Sequence, residues 1–165
     1  MKLTVKNKIM SIGGASTVLN EEGKEVYRVK GKAFSFTNKK FVTSLDGKVL
    51  YTVRNKYFKV LVYSAFIFDE NGEKIAHLKD NLTLVDNFTS VDFADTFKLI
   101  RESGVIKFYK NEEHFATMKR EYFKVADTFE LEVFEEVNAP IAIALTIAYD
   151  NITDRKDRDR ANRRN

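Results

Sequence analysis

The sequence predicts a mainly β fold, an antiparallel barrel or sandwich, with one apolar helix close to the C-terminus. Three observations carry this. A hairpin-like unit recurs at Gly23, Gly47 and Gly72. Short aromatic and β-branched runs alternate with turn residues along most of the 165 residues. One segment, Ala139 to Tyr149, is apolar on every side.

The unit reads glycine, two residues, an aliphatic, two residues, an aliphatic, then a cation. Its copies are Gly23–Lys30, Gly47–Arg54 and Gly72–Lys79. A fourth, degraded copy is Glu112–Lys119, where Asn111 stands at the turn in place of glycine. A second echo, Tyr57-Phe58-Lys59-Val60 and Tyr122-Phe123-Lys124-Val125, follows two of the copies. The residue before each glycine is Glu22, Asp46 or Asn71. Asp-Gly and Asn-Gly between apolar runs point to a two-residue type I′ hairpin turn, whose central residues both need positive φ. The two aliphatics stand three apart, which places them on opposite faces of a regular strand. Either a bulge re-aims one of them, or both faces are covered.

The remaining strand expectations follow in chain order. Ser11–Thr17, rich in glycine, reads as a turn or bulge between two strands; it has neither the lysine nor the strand–helix context of a phosphate-binding loop. Ala33–Thr37 and Phe41–Thr43 read as short strands around an Asn38-Lys39-Lys40 turn. Lys59–Phe68, Thr83–Val85, Phe88–Val91, Thr96–Ile100, Val105–Tyr109 and Thr128–Phe134 follow, making about a dozen strands in all.

Residues 139–151 read as a helix. Asn138 can cap its start, Pro140 suits its first turn, and Ala142, Ala144 and Ala148 favour helix over strand. The alternation of large and small residues from Ile141 to Leu145 would also suit a central strand. A helix without a polar face must be buried all round, and a closed barrel has room for one. Residues 1–152 then form one domain. Residues 153–165, with Ala161 the lone apolar side chain beyond Asp154, have no face to bury and are expected to form a charged, disordered tail.

Composition excludes more chemistry than it offers. There are no cysteines, so disulfides, thiolate metal sites and a cysteine nucleophile are out. With His77 and His114 as the two histidines, a histidine-rich metal site is out too, and both read as surface or edge residues. No serine lies in a nucleophile elbow. Glu112-Glu113 and Glu135-Glu136 are adjacent, so in strands their carboxylates would diverge. Asp69–Glu73 is too short for a calcium loop. The expectation is a protein without catalytic activity or cofactor. No leader and no apolar run of membrane-spanning length is visible, so the expected location is cytoplasmic, with room for a peripheral place at a membrane surface.

Charge is the remaining signal. The net charge of +4 is uneven: residues 1–60 carry +9, residues 61–138 carry −7, and residues 139–165 carry +2. Arg28, Lys30 and Lys32 stand at i, i+2 and i+4, so a regular strand presents them on one face. Arg54 and Lys56 repeat the spacing after the second turn, and Lys39 and Lys40 are placed at a loop tip. Neighbouring hairpins could gather these into a patch for a phosphorylated ligand, Arg binding bidentately and Lys as a point charge. The plainer alternative is a solvated outer face. A second candidate surface is the Arg-rich tail, as a protein- or nucleic-acid-interaction element.

The order of the Gly-repeat units, the Val29–Phe34 stretch after the first, and the terminal Ala139–Asn151 segment resembles the LURP-one-related family, which groups with tubby C-terminal domains and phospholipid scramblases. The resemblance covers nearly all of the chain except the charged tail. It implies a closed antiparallel barrel of about twelve strands around one central helix. It also implies a non-enzymatic binding or adaptor role, with anionic phospholipid headgroups as one candidate ligand. The headgroup residues of tubby domains do not align position by position with this chain and are not carried over.

Overall fold

A computed structural model describes residues 1–7, 15–32, 34–56, 62–83, 87–122 and 127–163. Twelve strands precede one long helix: β1 Lys2–Asn7, β2 Ser16–Asn20, β3 Glu25–Gly31, β4 Lys40–Thr43, β5 Val49–Asn55, β6 Ser64–Phe68, β7 Lys74–Asp80, β8 Asn87–Ser90, β9 Phe97–Glu102, β10 Val105–Lys110, β11 Glu113–Tyr122 and β12 Asp127–Val133. A 3-10 turn, Glu136–Asn138, leads into α1, Ala139–Asn162. Every strand pairs antiparallel with its sequence neighbour, and β1 closes the barrel by pairing β12 as well as β2. The barrel of the two sequence-level alternatives is therefore the one formed.

The three-residue spacing of the repeat is resolved by bulges. Val18 pairs Tyr27 and Leu19 pairs Glu25, so Val26 is the extra residue. In the same way Leu50, Ile75 and Phe115 are the extra residues of the other three copies. A bulge lets two successive residues share a face. Val26 and Tyr27 therefore join Val29 on the core, as Ile75 and Ala76 join Leu78, and Phe115 and Ala116 join Met118.

The turns differ from the type I′ expectation. Gly23 N–H donates to Asn20 O (3.0 Å) and Asn20 N–H to Lys24 O (2.9 Å), with positive φ at Gly23 (75°) but not at Glu22. This is a type I turn followed by a left-handed residue, which recurs at Gly47 and Gly72. The residue opening the turn decides the type. Asn20 Oδ1 accepts from Glu22 and Lys24 N–H, and Asp69 Oδ1 from Asn71 and Glu73 N–H, which fixes the first two turn residues at negative φ. The type I′ turn appears instead in the glycine-free copy, at Asn111 (φ 50°) and Glu112 (φ 70°), and at Ser103-Gly104.

Helix α1 runs through the barrel from the end where β12 finishes to the end where β1 finishes. Ile141–Thr153 are all buried, with Phe88 set edge-on to Tyr149 at 5.4 Å. Pro140 sits in the first turn as expected, but Asn138 makes no side-chain cap; its Nδ2 reaches Glu135 instead. The helix does not end at residue 151. It continues to Asn162, about 36 Å in all. Residues 153–162, part of the segment expected to be disordered, are helical because the barrel mouth supplies partners for them. Lys40 Nζ lies 3.5 Å from Asp150, Lys156 Nζ donates to Asp80 Oδ2 at 2.7 Å, and Tyr63 OH donates to Asp159 at 2.9 Å. Arg155 Nη1 donates to Lys56 O (2.7 Å), and Arg120 faces Asp154 at 3.9 Å. The interior thus changes from apolar to charged at the same depth as the helix.

Two strand expectations fail. Residues 34–37 are a turn and loop, not a strand, because the side chain of Asn38 and its carbonyl are taken up by Asn151. Thr83 is not in a strand either, and β6 begins at Ser64. Residues 84–85, residues 59–61, most of the glycine-rich 11–17 segment and parts of both Tyr-Phe-Lys-Val echoes lie outside the described residues.

Candidate anion-binding face

Strands β3 to β7 are five of the twelve strands of the barrel wall. Their inner residues, Val29, Val42, Val53, Ile67 and Leu78, are fully buried. The alternate residues therefore face outward, and the register arranges them in three rows. Lys30 pairs Phe41, Phe41 pairs Thr52, Thr52 pairs Phe68, and Phe68 pairs Lys74. Lys32 lies beside Lys39, to whose carbonyl its N–H donates at 2.8 Å. Lys39 precedes the Lys40–Val53 pair and Arg54 follows it on the neighbouring strand; Arg54 pairs Phe66, which pairs His77. In the third row Lys56 N–H donates to Ser64 O (3.0 Å), and Ser64 pairs Lys79. Adjacent strands are about 4.8 Å apart, so Lys32, Lys39 and Arg54 span roughly 10 Å.

Aromatic rings carry the cations. Lys39 Nζ lies 5.0 Å from the Phe41 ring centre, Arg54 Cζ 4.7 Å from Phe68, and Lys74 Nζ 4.6 Å from Phe66. Each ring covers an apolar stem while leaving the charge at the surface.

The acidic residues of the β3–β7 stretch are kept off this face, although Asp92, after β8, pairs Lys79 at its edge (3.1 Å). Between residues 25 and 80 they are Glu25, Asp46, Asp69, Glu70, Glu73 and Asp80. Glu25 and the four others up to Glu73 sit at or beside the hairpin turns of one barrel end. Asp80 points inward to Lys156. His77 registers the resulting field. Its Nε2 lies 3.1 Å from Ser64 Oγ, and its ring packs 4.2 Å from that of Phe66. Burial first, then Lys79, Lys56 and Lys74, push its pKa down to about 4, with Asp92 opposing them.

The sequence-level candidates divide accordingly. Lys30, Lys32, Arg54 and Lys56 are exposed and share the face with Lys39. Arg28 does not join them in function: its Nε and Nη2 are taken by the Glu25 carboxylate at 2.8 and 3.1 Å, and Nη1 by Leu45 O. Lys40 is not at a loop tip; it opens β4 pointing inward, where it pairs Asp150. Phe41, Phe66, Phe68, Lys74, His77 and Lys79 complete the face, and sequence reasoning does not mark them as site residues. Lys79 is the trailing cation of the third repeat copy, equivalent to Lys30 and Arg54, and that equivalence is the signal that could have found it; the repeat gives no such signal for Lys74. His114 is elsewhere, with its ring against Tyr109 and Phe134 and its Nε2 near Ala116 O and Thr117 Oγ1.

Other concavities hold less. A groove of about 460 Å³ on the outer face of β1, β11 and β12 is lined by Lys2 and Lys119 but also by Glu21, Glu130 and Glu132. Among the described residues no cluster of three metal-ligating side chains occurs, and no helix is long and apolar enough to cross a membrane.

The fold has a solved counterpart. A crystal structure of a protein from Arabidopsis thaliana superposes with a TM-score of 0.61 at 15% identity, covering 92% of this chain and 91% of that one. At that identity the likeness speaks for the barrel and helix alone. No curated protein sequence matches the chain. A family model does, over residues 1–150, from the first strand to the buried part of the helix. With the match spanning nearly the whole barrel and its plug, the chain belongs to the LURP-one-related family.

Proposed function

We propose that this protein is a non-enzymatic binding module that recognises phosphate-bearing ligands, anionic phospholipid headgroups foremost, on the outer face of β3–β7. The observation that carries the reading is the row of Lys32, just beyond the end of β3, Lys39, just before β4, and Arg54 on β5, with no outward carboxylate among them. Arg54 supplies a planar fork suited to two phosphate oxygens, and the lysines supply flexible point charges. Lys30 and Lys56 flank the row. Binding of this kind needs neither a nucleophile nor a metal, and the interior is filled by α1, so the ligand stays at the surface.

The test is co-sedimentation with phosphatidylcholine vesicles with and without about one-third phosphatidylserine, across a salt series. Wild type should bind the anionic vesicles and release as salt rises, because each neutralised phosphate frees counterions or is screened. The triple variant Lys32→Gln/Lys39→Gln/Arg54→Gln should lose at least tenfold in affinity, at roughly 1 kcal/mol per surface cation. Equal binding by both proteins would remove the face from the account.

A further inference from the structure

The loop between β3 and β4 leaves the basic face at one end of the barrel and carries the two most exposed large apolar side chains among the described residues. Phe34 is 94% and Phe36 90% accessible to water. Phe34 has φ 56°, a left-handed backbone that an aromatic residue seldom adopts, so the chain accepts strain while its ring stands in solvent.

The base of the loop is tied down by hydrogen bonds. Ser35 O accepts from Asn38 N–H (3.1 Å), Ser35 Oγ accepts from Lys39 N–H (3.0 Å), and Asn55 N–H donates to Thr37 O (2.7 Å). Asn38 and Asn151 exchange two hydrogen bonds, Nδ2 to Oδ1 at 2.7 Å and Nδ2 to backbone O at 3.0 Å, which ties the loop to the buried helix. The result is a hydrogen-bonded base with the apolar side chains of Phe34 and Phe36 exposed beyond it.

Its surroundings select one kind of partner. The cations nearest the loop in the chain are Lys30, Lys32 and Lys39, and the groove beside Phe36 adds Arg155 and Arg158 with Asp159, whose carboxylate accepts from Tyr63 OH. Leu82, 60% exposed, stands at the end of β7 on the same barrel end. The opposite end also exposes apolar groups, Val137 and Phe134, but beside Glu135 and Glu136, and Val91 beside Asp92. Apolar side chains ringed by carboxylates are repelled by an anionic surface; apolar side chains ringed by lysines are drawn to it.

We infer that the Phe34–Phe36 loop inserts into the acyl boundary of an anionic bilayer while the Lys32–Lys39–Arg54 row holds the headgroups above it. This rests on the headgroup-binding reading and narrows it: the ligand is met in a membrane rather than as a free phosphorylated molecule. Burying one phenyl ring corresponds to about tenfold or more in affinity.

The chain contains no tryptophan, so Phe34→Trp gives a single reporter. Phe34→Trp protein is titrated with vesicles of phosphatidylcholine and phosphatidylserine, and separately with glycerophosphoserine, the soluble headgroup. The expected result is a blue shift with vesicles, quenching by bromine-labelled acyl chains, and neither effect with the soluble headgroup. In parallel, Phe34→Ala/Phe36→Ala should weaken vesicle binding by about tenfold or more and leave headgroup binding unchanged. Both positions are exposed, so the variant should melt within a few degrees of wild type. Vesicle binding that is lost in the Lys32/Lys39/Arg54 variant but unaffected by the phenylalanine changes, with unshifted emission from the Phe34→Trp protein, would overturn insertion and leave the basic face standing. No binding to either probe by wild type would remove both.

Discussion

His77 sits neutral among the cations that define the basic face, and that fixes the sign of its pH dependence. Its folded pKa, about 4, lies below the ordinary 6.5. Its contribution to stability is therefore complete above pH 6.5 and lost as pH falls towards 4, because the unfolded chain takes up the proton first. His77→Gln should flatten the rise of stability over that window in urea melts; an unchanged slope would mean that neither burial nor Lys79, Lys56 and Lys74 holds the ring neutral. Asp154 works in the opposite direction. Burial, then the Asp150 carboxylate, raise its pKa to about 6, so its contribution is present below pH 3.8 and lost as pH rises through 6. An anion on the face should neutralise part of the field at His77 and move its pKa upward, visible in its ring proton shifts. Inside the barrel, Lys40 and Asp150 are both buried, and Asp150 Oδ1 makes no hydrogen bond to a described residue. Lys40→Met strands that carboxylate and should cost about 3–5 kcal/mol, whereas Lys40→Met/Asp150→Leu should recover most of it. If the double variant is as unstable as the single one, the loss came from packing, not charge.

At the scale of the element, hairpins and helix depend on different things. Each of the three glycine turns needs one left-handed residue, and a Cβ there would meet nothing within 4 Å. Gly47→Ala should therefore cost only the backbone penalty, about 1–2 kcal/mol, and Gly47→Asn less. Denaturant midpoints check this, and equal losses for both would point to a steric clash instead. The existence of these hairpins was legible in the repeat, and so was the buried helix, because an all-apolar segment has one place to go. Turn type was not legible from the Asp-Gly and Asn-Gly pairs alone, since in the first and third copies it is set by Asn20 and Asp69 further back in the chain. The length of α1 was not legible either. Asp154, Lys156 and Asp159 look like a solvated tail until the mouth residues Arg120, Asp80 and Tyr63 are brought to them by strands far away in sequence. The docked end makes its own prediction. Lys156→Ala leaves buried Asp80 without its cation and should cost about 2–3 kcal/mol, while Arg163→Ala, at an exposed position, should change nothing measurable. A loss for Lys156→Ala as small as that for Arg163→Ala would return the segment to solvent.

Across the whole molecule, barrel closure separates two jobs. The inside encloses α1, and on the proposed reading a ligand meets the outer wall, where the acidic residues of β3–β7, five of the twelve strands, are confined to a barrel end or turned inward. The i, i+2, i+4 spacing of Arg28, Lys30 and Lys32 anticipated an outward row on one strand. It could not show that Lys39 falls between Lys32 and Arg54, because that follows from the β3–β4–β5 register, nor that Arg28 is occupied by Glu25. The most direct measurement of the central claim is a map of backbone amide shifts during titration with glycerophosphoserine. The account predicts changes concentrated at residues 30–32, 39–41 and 52–56, with a ring shift at His77. Changes centred on the Lys2–Thr4 and Glu130–Glu132 groove, or on residues 155–163 of the helix, would contradict it.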